Sequence, residues 1–142
     1  MQQTTLDHAY MDMAIRWSKL SRAERKKVGA LIVKDGAIIS DGFNGTPAGF
    51  NNQCEFVLEK ELVTKPEVLH AESNAILKLA KATLSSEGAT LYVTLSPCFE
   101  CAKLIIQSGI IRVVYAEKYR EDRGLCLLEK ANIITEQCNQ NP

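Results

Sequence analysis

The chain has 142 residues, 46% of them hydrophobic, and its 17 basic side chains are balanced by 17 acidic ones. That length and composition suit one folded domain over residues 1 to 142 and exclude a disordered chain. Zero net charge excludes a protein that coats nucleic acid through a basic excess, while leaving room for a small phosphorylated ligand.

No apolar run approaches the roughly 20 residues that cross a bilayer, so no membrane partner is expected. The N-terminal stretch MQQTTLDHAYMDMAIRW lacks a basic segment followed by an apolar one, so no signal peptide is expected either. The five cysteines are odd in number and unevenly spaced, which favours reduced thiols and a cytoplasmic protein.

Residues 5 to 20 place Ala9, Met13, Trp17 and Leu20 at helical spacing, with Thr5 as the cap. A basic run containing Arg22, Arg25, Lys26 and Lys27 leads into two apolar stretches that flank Asp35-Gly36, a favoured hairpin turn. The segment GFNGTPAGFNNQC, from Gly42 to Cys54, is a loop rich in Gly, Asn and Pro. Residues 55 to 69 give a weaker pattern, and a short helix ending before Pro66 is expected there.

A helix is predicted from His70 to Lys81, with Ala75, Ile76, Leu79 and Ala80 on one face. After Gly88, alternation of Ala89, Leu91, Val93 and Leu95 predicts a strand. Ser96 is a good N-cap and Pro97 fits a first helical position, so a helix is expected from there to Gly109. IRVVYAE, from Ile111, reads as a strand, LCLLEKA as a short helix and NIITEQ as a final strand. The order αββαβαβαβ predicts one mixed sheet with helices on both faces.

The chemistry concentrates in two places. Cys98 and Cys101 are spaced to share one face of a helix's first turn, where unpaired backbone N–H groups favour thiolates. His70, at the start of another helix, supplies a third ligand of the kind zinc takes. Three protein ligands leave a fourth position for water, as catalytic zinc requires, and zinc lowers the pKa of such a water from 15.7 to roughly 7. Glu72 then stands beside the metal as a carboxylate free to move protons. A C-x-x-C pair alone also fits a redox dithiol or half of a structural zinc site. His8, Cys54, Cys126 or Cys138 would have to complete the latter, and none has a paired spacing that recommends it.

HAE at His70–Glu72 with PCFEC at Pro97–Cys101 resembles the signature of zinc-dependent nucleobase deaminases. The element order resembles the cytidine deaminase-like fold, an α/β fold of three layers, α/β/α, around a mixed five-stranded sheet. The loop GFNGTPAG is similar to the G-Y-N-G-x-P-x-G loop of the deoxycytidylate (dCMP) deaminases, with Phe43 where tyrosine is commoner. VGALIV, HAESNAI with Asn74, and LYVTLSPCFECAKLIIQSGIIRVVYAEKY are similar to the same family.

The resemblance implies hydrolysis of dCMP to dUMP and ammonia, a step towards thymidylate. It implies one zinc ion per subunit on His70, Cys98 and Cys101, with Glu72 as general acid and base. Asn44 is then expected to hydrogen-bond the deoxyribose, and backbone around Ser96 and Pro97 to accept from the exocyclic amine. The Gly42, Phe43, Asn44 and Gly45 segment is implied as a site for dCTP as activator and dTTP as inhibitor, with Mg2+ accompanying the nucleotide. A homo-oligomer, a hexamer in particular, goes with such a site. For the phosphate, Lys27 is the expected cation, with Lys118, Arg120 and Arg123 as a second basic cluster; Tyr115 and Tyr119 are candidates to line the base or phosphate pocket. The alternatives are another deaminase of the same fold, acting on cytidine or tRNA adenosine, and a non-catalytic zinc-stabilised nucleotide sensor, which would not need Glu72.

Overall fold

Helix α1 (Gln3–Ser18) is followed by the antiparallel strands β1 (Gly29–Lys34) and β2 (Ala37–Phe43). The turn between them works as its sequence requires: Asp35 and Gly36 both take positive φ, 50° and 76°. Strands β3 (Glu55–Leu58) and β4 (Glu61–Thr64) form a separate hairpin, and helix α2 (Ala71–Leu79) comes next. The chain then alternates through β5 (Thr90–Leu95), α3 (Phe99–Gln107), β6 (Arg112–Glu117), α4 (Arg123–Lys130) and β7 (Ile134–Gln137). This computed structural model describes residues 2 to 139; the expected domain limits at 1 and 142 lie outside the described residues.

The main sheet is mixed and five-stranded, in the order β2-β1-β5-β6-β7. The β1–β2 and β1–β5 pairs are antiparallel, whereas β5–β6 and β6–β7 are parallel and connected by the crossover helices α3 and α4. One face carries Ala30, Ile32, Leu91, Val93 and Val113 against α2, α3 and α4; the other carries Leu31, Val33, Tyr92 and Val114 against α1. The three-layer α/β/α arrangement expected from the element order is therefore the one adopted. β5 is covered on both faces, so its residues Leu91 to Thr94 are all buried rather than alternating.

Four local expectations are corrected. The segment expected as a helix before Pro66 is the β3–β4 hairpin, turning through Glu59 and Lys60, both at positive φ. On α1 the predicted apolar face is inverted: Ala9, Met13, Trp17 and Leu20 are exposed, while Asp7, Met11, Ala14 and Ser18 are buried. The reason is Asp7, a charged residue that the core takes in because Arg112 Nη2 donates to its Oδ2 at 2.5 Å and Tyr92 Oη to its Oδ1 at 2.6 Å. Thr5 lies within α1, whose N-cap position is Gln2. Finally, Ser96 and Pro97 precede α3 instead of starting it: Cys98 is the N-cap, its Sγ accepting from the Cys101 N–H at 3.5 Å. The Ser96 hydroxyl oxygen accepts from the Tyr119 N–H at 2.7 Å, which ties the end of β5 to the segment after β6.

Gly42 fixes how closely α2 approaches the sheet. A Cβ there would lie 2.5 Å from the Ala71 carbonyl oxygen and 2.8 Å from the Ala75 nitrogen. The bare backbone of β2 thus lets α2, and with it His70 and Glu72, sit directly on the strand.

Candidate active site

The starts of α2 and α3 meet at the carboxyl end of β5, the usual position for a ligand site beside parallel strands. His70 occupies the N-cap of α2 in extended conformation, and Cys98 that of α3. One turn of helix brings Cys101 beside Cys98. His70 Nδ1 lies 3.2 Å from Cys101 Sγ and 3.5 Å from Cys98 Sγ. The three ligand atoms fall within 4.8 Å of one another, and among the described residues this is the group of His, Cys, Asp and Glu side chains placed to hold a metal ion. One imidazole and two thiols, with no fourth protein donor in the group, fit the donor set of a catalytic zinc ion.

Contacts link the three groups to one another. Hydrogen bonding from the Cys101 thiol, opposed by burial and helped by His70, holds the Cys98 thiol well below its ordinary range. Hydrogen bonding to Cys98 pushes Cys101 up, and burial adds to it. The Cys98 contact also raises His70, against the opposing effect of burial. A metal ion entering the cluster must displace these protons. Ser73 Oγ, 3.5 Å from Cys101 Sγ, supports the buried thiol from α2.

Glu72 lies two residues beyond His70 and is only 4% exposed. Burial pushes its carboxyl up to about 7, because a carboxylate loses hydration there that nearby hydrogen bonds restore only partly. A carboxyl that exchanges its proton near neutral pH suits general acid and base work. His70, Cys98 and Glu72 all line one cleft of about 360 Å³, within the range of small-ligand sites.

Cations line the cleft together with the carboxylates Glu55 and Glu117. Arg25 and Lys26 reach it from the segment before β1, and Lys118 and Arg120 from the segment after β6. Lys26 Nζ pairs with Glu117 at 2.6 Å, and the Arg120 guanidinium lies 5.6 Å from the centre of the Tyr119 ring. Lys27 does not line this cleft; it borders a second cavity with Ile15, Ser18 and Thr94. The basic run before β1 lies beside the cleft, but its spacing held no signal to separate Arg25 and Lys26 from Lys27.

The remaining candidates divide in the same way. Asn44 lines the cleft and also ties down its wall: its Oδ1 accepts from the Val28 N–H and its Nδ2 donates to the Lys26 carbonyl, both at 2.8 Å. Gly45 pairs with Leu69 across an isolated bridge, holding the loop against the lead-in to His70. The Phe43 carbonyl accepts from Asn74 Nδ2 at 2.8 Å. Ser96 and Tyr119 line the cleft, Pro97 is fully buried, and Tyr115 packs against the core on β6. Cys54 and Cys138 are buried and Cys126 exposed, all apart from the metal cluster. Glu55 and Thr64 also line the cleft, from a hairpin that sequence reasoning read as helical.

Known proteins resemble this chain in sequence and fold. The family described as the cytidine and deoxycytidylate deaminase zinc-binding region matches residues 4 to 117. The deoxycytidylate deaminase of Enterobacteria phage T4 is 38% identical, over 80% of this chain and 78% of that protein. The human deoxycytidylate deaminase is 39% identical, over 79% of this chain and 65% of that protein. The crystal structure of dCMP deaminase from the cyanophage S-TIM5, in complex with dCMP and dUMP, superposes with a TM-score of 0.89 at 43% identity, covering 96% of this chain and 98% of that one.

Proposed function

The chain belongs to the cytidine and deoxycytidylate deaminase family, and from that membership we propose that it hydrolyses dCMP to dUMP and ammonia. The observation that carries this reading is a buried carboxyl, Glu72, beside a His-Cys-Cys cluster in a cleft also lined by Arg25, Lys26, Lys118 and Arg120. The cleft is large enough for a small ligand, and a phosphate there needs cations such as those that line it. Residues Arg25, Lys26, Lys118 and Arg120 are the phosphate candidates, in place of Lys27.

His70, Cys98 and Cys101 would hold the zinc ion. When bound it supplies Lewis acidity, which lets a water molecule yield a proton near neutral pH. Glu72 takes that proton and delivers it to N3 of the cytosine ring as the water oxygen bonds to C4. Glu72 then carries a second proton, from the new hydroxyl group, to the amine nitrogen. The C4–N bond breaks, the C4–O bond becomes the carbonyl of dUMP, and ammonia leaves. Backbone at Ser96 and Pro97 would accept from the amine before it departs. Asn44 would use the lone pair and N–H left over from its two backbone bonds to hold the sugar hydroxyl.

The proposal extends to regulation by dCTP and dTTP, with Mg2+, at the Gly42–Gly45 segment, which begins in β2 and not in a loop, and to assembly as a hexamer; both rest on the family likeness. No described helix is long and apolar enough to cross a membrane, and a cytoplasmic enzyme is the reading proposed. The test is turnover of dCMP, CMP, deoxycytidine and cytidine by zinc-loaded protein, each with and without dCTP and Mg2+. Preference for dCMP is expected. Preference for the nucleosides overturns the phosphate assignment, and no turnover of any overturns the enzyme reading.

A further inference from the structure

The β3–β4 hairpin holds the cleft wall through two residues, Glu55 and Thr64. Glu55 Oε2 accepts from two successive backbone N–H groups, those of Glu24 at 2.9 Å and Arg25 at 3.1 Å. The Arg25 side chain is held as well: Nη1 donates to Thr64 Oγ1 at 3.3 Å. Glu55 and Thr64 are direct cross-strand partners, the pair that closes the open end of the hairpin. One residue pair therefore grips both the backbone and the guanidinium of Arg25. The pair is itself anchored, since the Lys65 N–H donates to the carbonyl of buried Cys54 at 2.7 Å, continuing the ladder beyond Glu55 and Thr64.

The segment so gripped has no regular structure of its own between α1 and β1. Its other ties hold residues on either side of Arg25: Ser21 Oγ accepts from Ala23, while Asn44 holds Lys26 and Val28. Without Glu55 the backbone at Glu24 and Arg25 loses its acceptor, and those N–H groups turn to water. Arg25 would then reach the cleft mouth from a loose loop. Two N–H groups converging on a carboxylate form a charge-assisted anchor, stronger than a bond between neutral groups.

We infer that Glu55, with Thr64, is a positioning residue for substrate specificity: it aims Arg25 at the 5′-phosphate and so sets the preference for a nucleotide over a nucleoside. This rests on the proposed reading of the cleft as a dCMP site. Glu55 touches neither the metal cluster nor Glu72 in this arrangement, so its effect belongs to binding of the phosphate and not to the chemical step.

The experiment compares wild type, Glu55→Ala, Glu55→Gln, Arg25→Gln and the Glu55→Ala/Arg25→Gln double variant, measuring kcat and KM for dCMP and kcat/KM for deoxycytidine. Glu55→Ala should raise KM for dCMP about tenfold, the scale of one loosened charge-assisted contact, with kcat for dCMP and kcat/KM for deoxycytidine unchanged. Glu55→Gln keeps an acceptor oxygen and should recover most of the loss. In the Arg25→Gln background, Glu55→Ala should add nothing further, because both act through one group. Equal losses on dCMP and deoxycytidine reduce Glu55 to a structural role, and additive losses show that it acts apart from Arg25; either overturns the inference. A wild-type protein that favours deoxycytidine overturns the underlying substrate reading first, before any variant is compared.

Discussion

Replacing Gly42 with alanine tests how the fold holds its site. The added Cβ would lie 2.5 Å from the Ala71 carbonyl oxygen, 2.8 Å from the Ala75 nitrogen and 3.2 Å from the Asn74 Cβ. The first two neighbours are helix backbone and cannot rotate away. Restoring ordinary contact means separating β2 from α2 by about 0.9 Å. Overpacking of this kind costs about 1–3 kcal/mol of stability. The functional effect is larger than the stability change suggests, because α2 carries both His70 and Glu72. A displacement approaching 1 Å at a catalytic group lowers turnover by roughly 100-fold. Urea unfolding gives the first quantity, and kcat/KM for dCMP at equal zinc content gives the second. Gly45→Ala is the control: a Cβ there meets nothing within 4 Å and φ is not positive, so stability should change by less than about 0.5 kcal/mol. Wild-type stability and turnover in Gly42→Ala would refute the packing argument. Loss of dCTP response alone would return Gly42 to the role of a phosphate-approach glycine.

Glu72→Gln should bind zinc at wild-type stoichiometry by elemental analysis yet lose about 10²–10⁴-fold or more in kcat; retained turnover would remove Glu72 from the proton path. Asp7→Ala leaves Arg112 mostly buried, with Tyr92 Oη and the exposed Glu136 as partners among the described residues, and should cost about 3 kcal/mol in denaturant unfolding. Burial raises the Asp7 carboxyl, but hydrogen bonds from Arg112, Tyr92 and Gln3 outweigh it and leave the group below its ordinary 3.8. As pH falls the unfolded chain therefore takes up the proton first. Asp7's contribution is present above the ordinary carboxylate range and is lost as pH drops through its lowered folded value, so wild type and Asp7→Ala should converge in strong acid. Lys60→Gly relieves a residue held at φ 66° in a two-residue hairpin turn, and should raise stability by about 1 kcal/mol, with any decrease refuting the turn assignment.

Legibility in the sequence followed the range over which each feature is determined. The site was readable because two of its spacings are short: Cys98 to Cys101 is i,i+3 at the start of α3, and His70 to Glu72 is i,i+2 at the start of α2, which leaves little freedom once each helix forms. Asp35-Gly36 announced its turn because positive φ selects such residues. Glu59-Lys60 adopts a similar turn with residues that favour helices, so the hairpin was hidden and Glu55 and Thr64 with it. The buried face of α1 was hidden by Asp7, whose partner Arg112 lies far along the chain.

The sequence by itself determined the candidate site: one histidine, two cysteines and a carboxylate at helix starts, in an order of elements that yields a mixed three-layer fold. Only the tertiary structure decided which cations face the cleft, that Tyr119 lines it while Tyr115 packs, and that Gly42 serves helix packing. The physical reason is that ligand spacing within a turn is fixed by local geometry. The direction of a side chain in an irregular segment is fixed by distant partners, here the Asn44 and Glu55 hydrogen bonds that set residues 24 to 28 against the site.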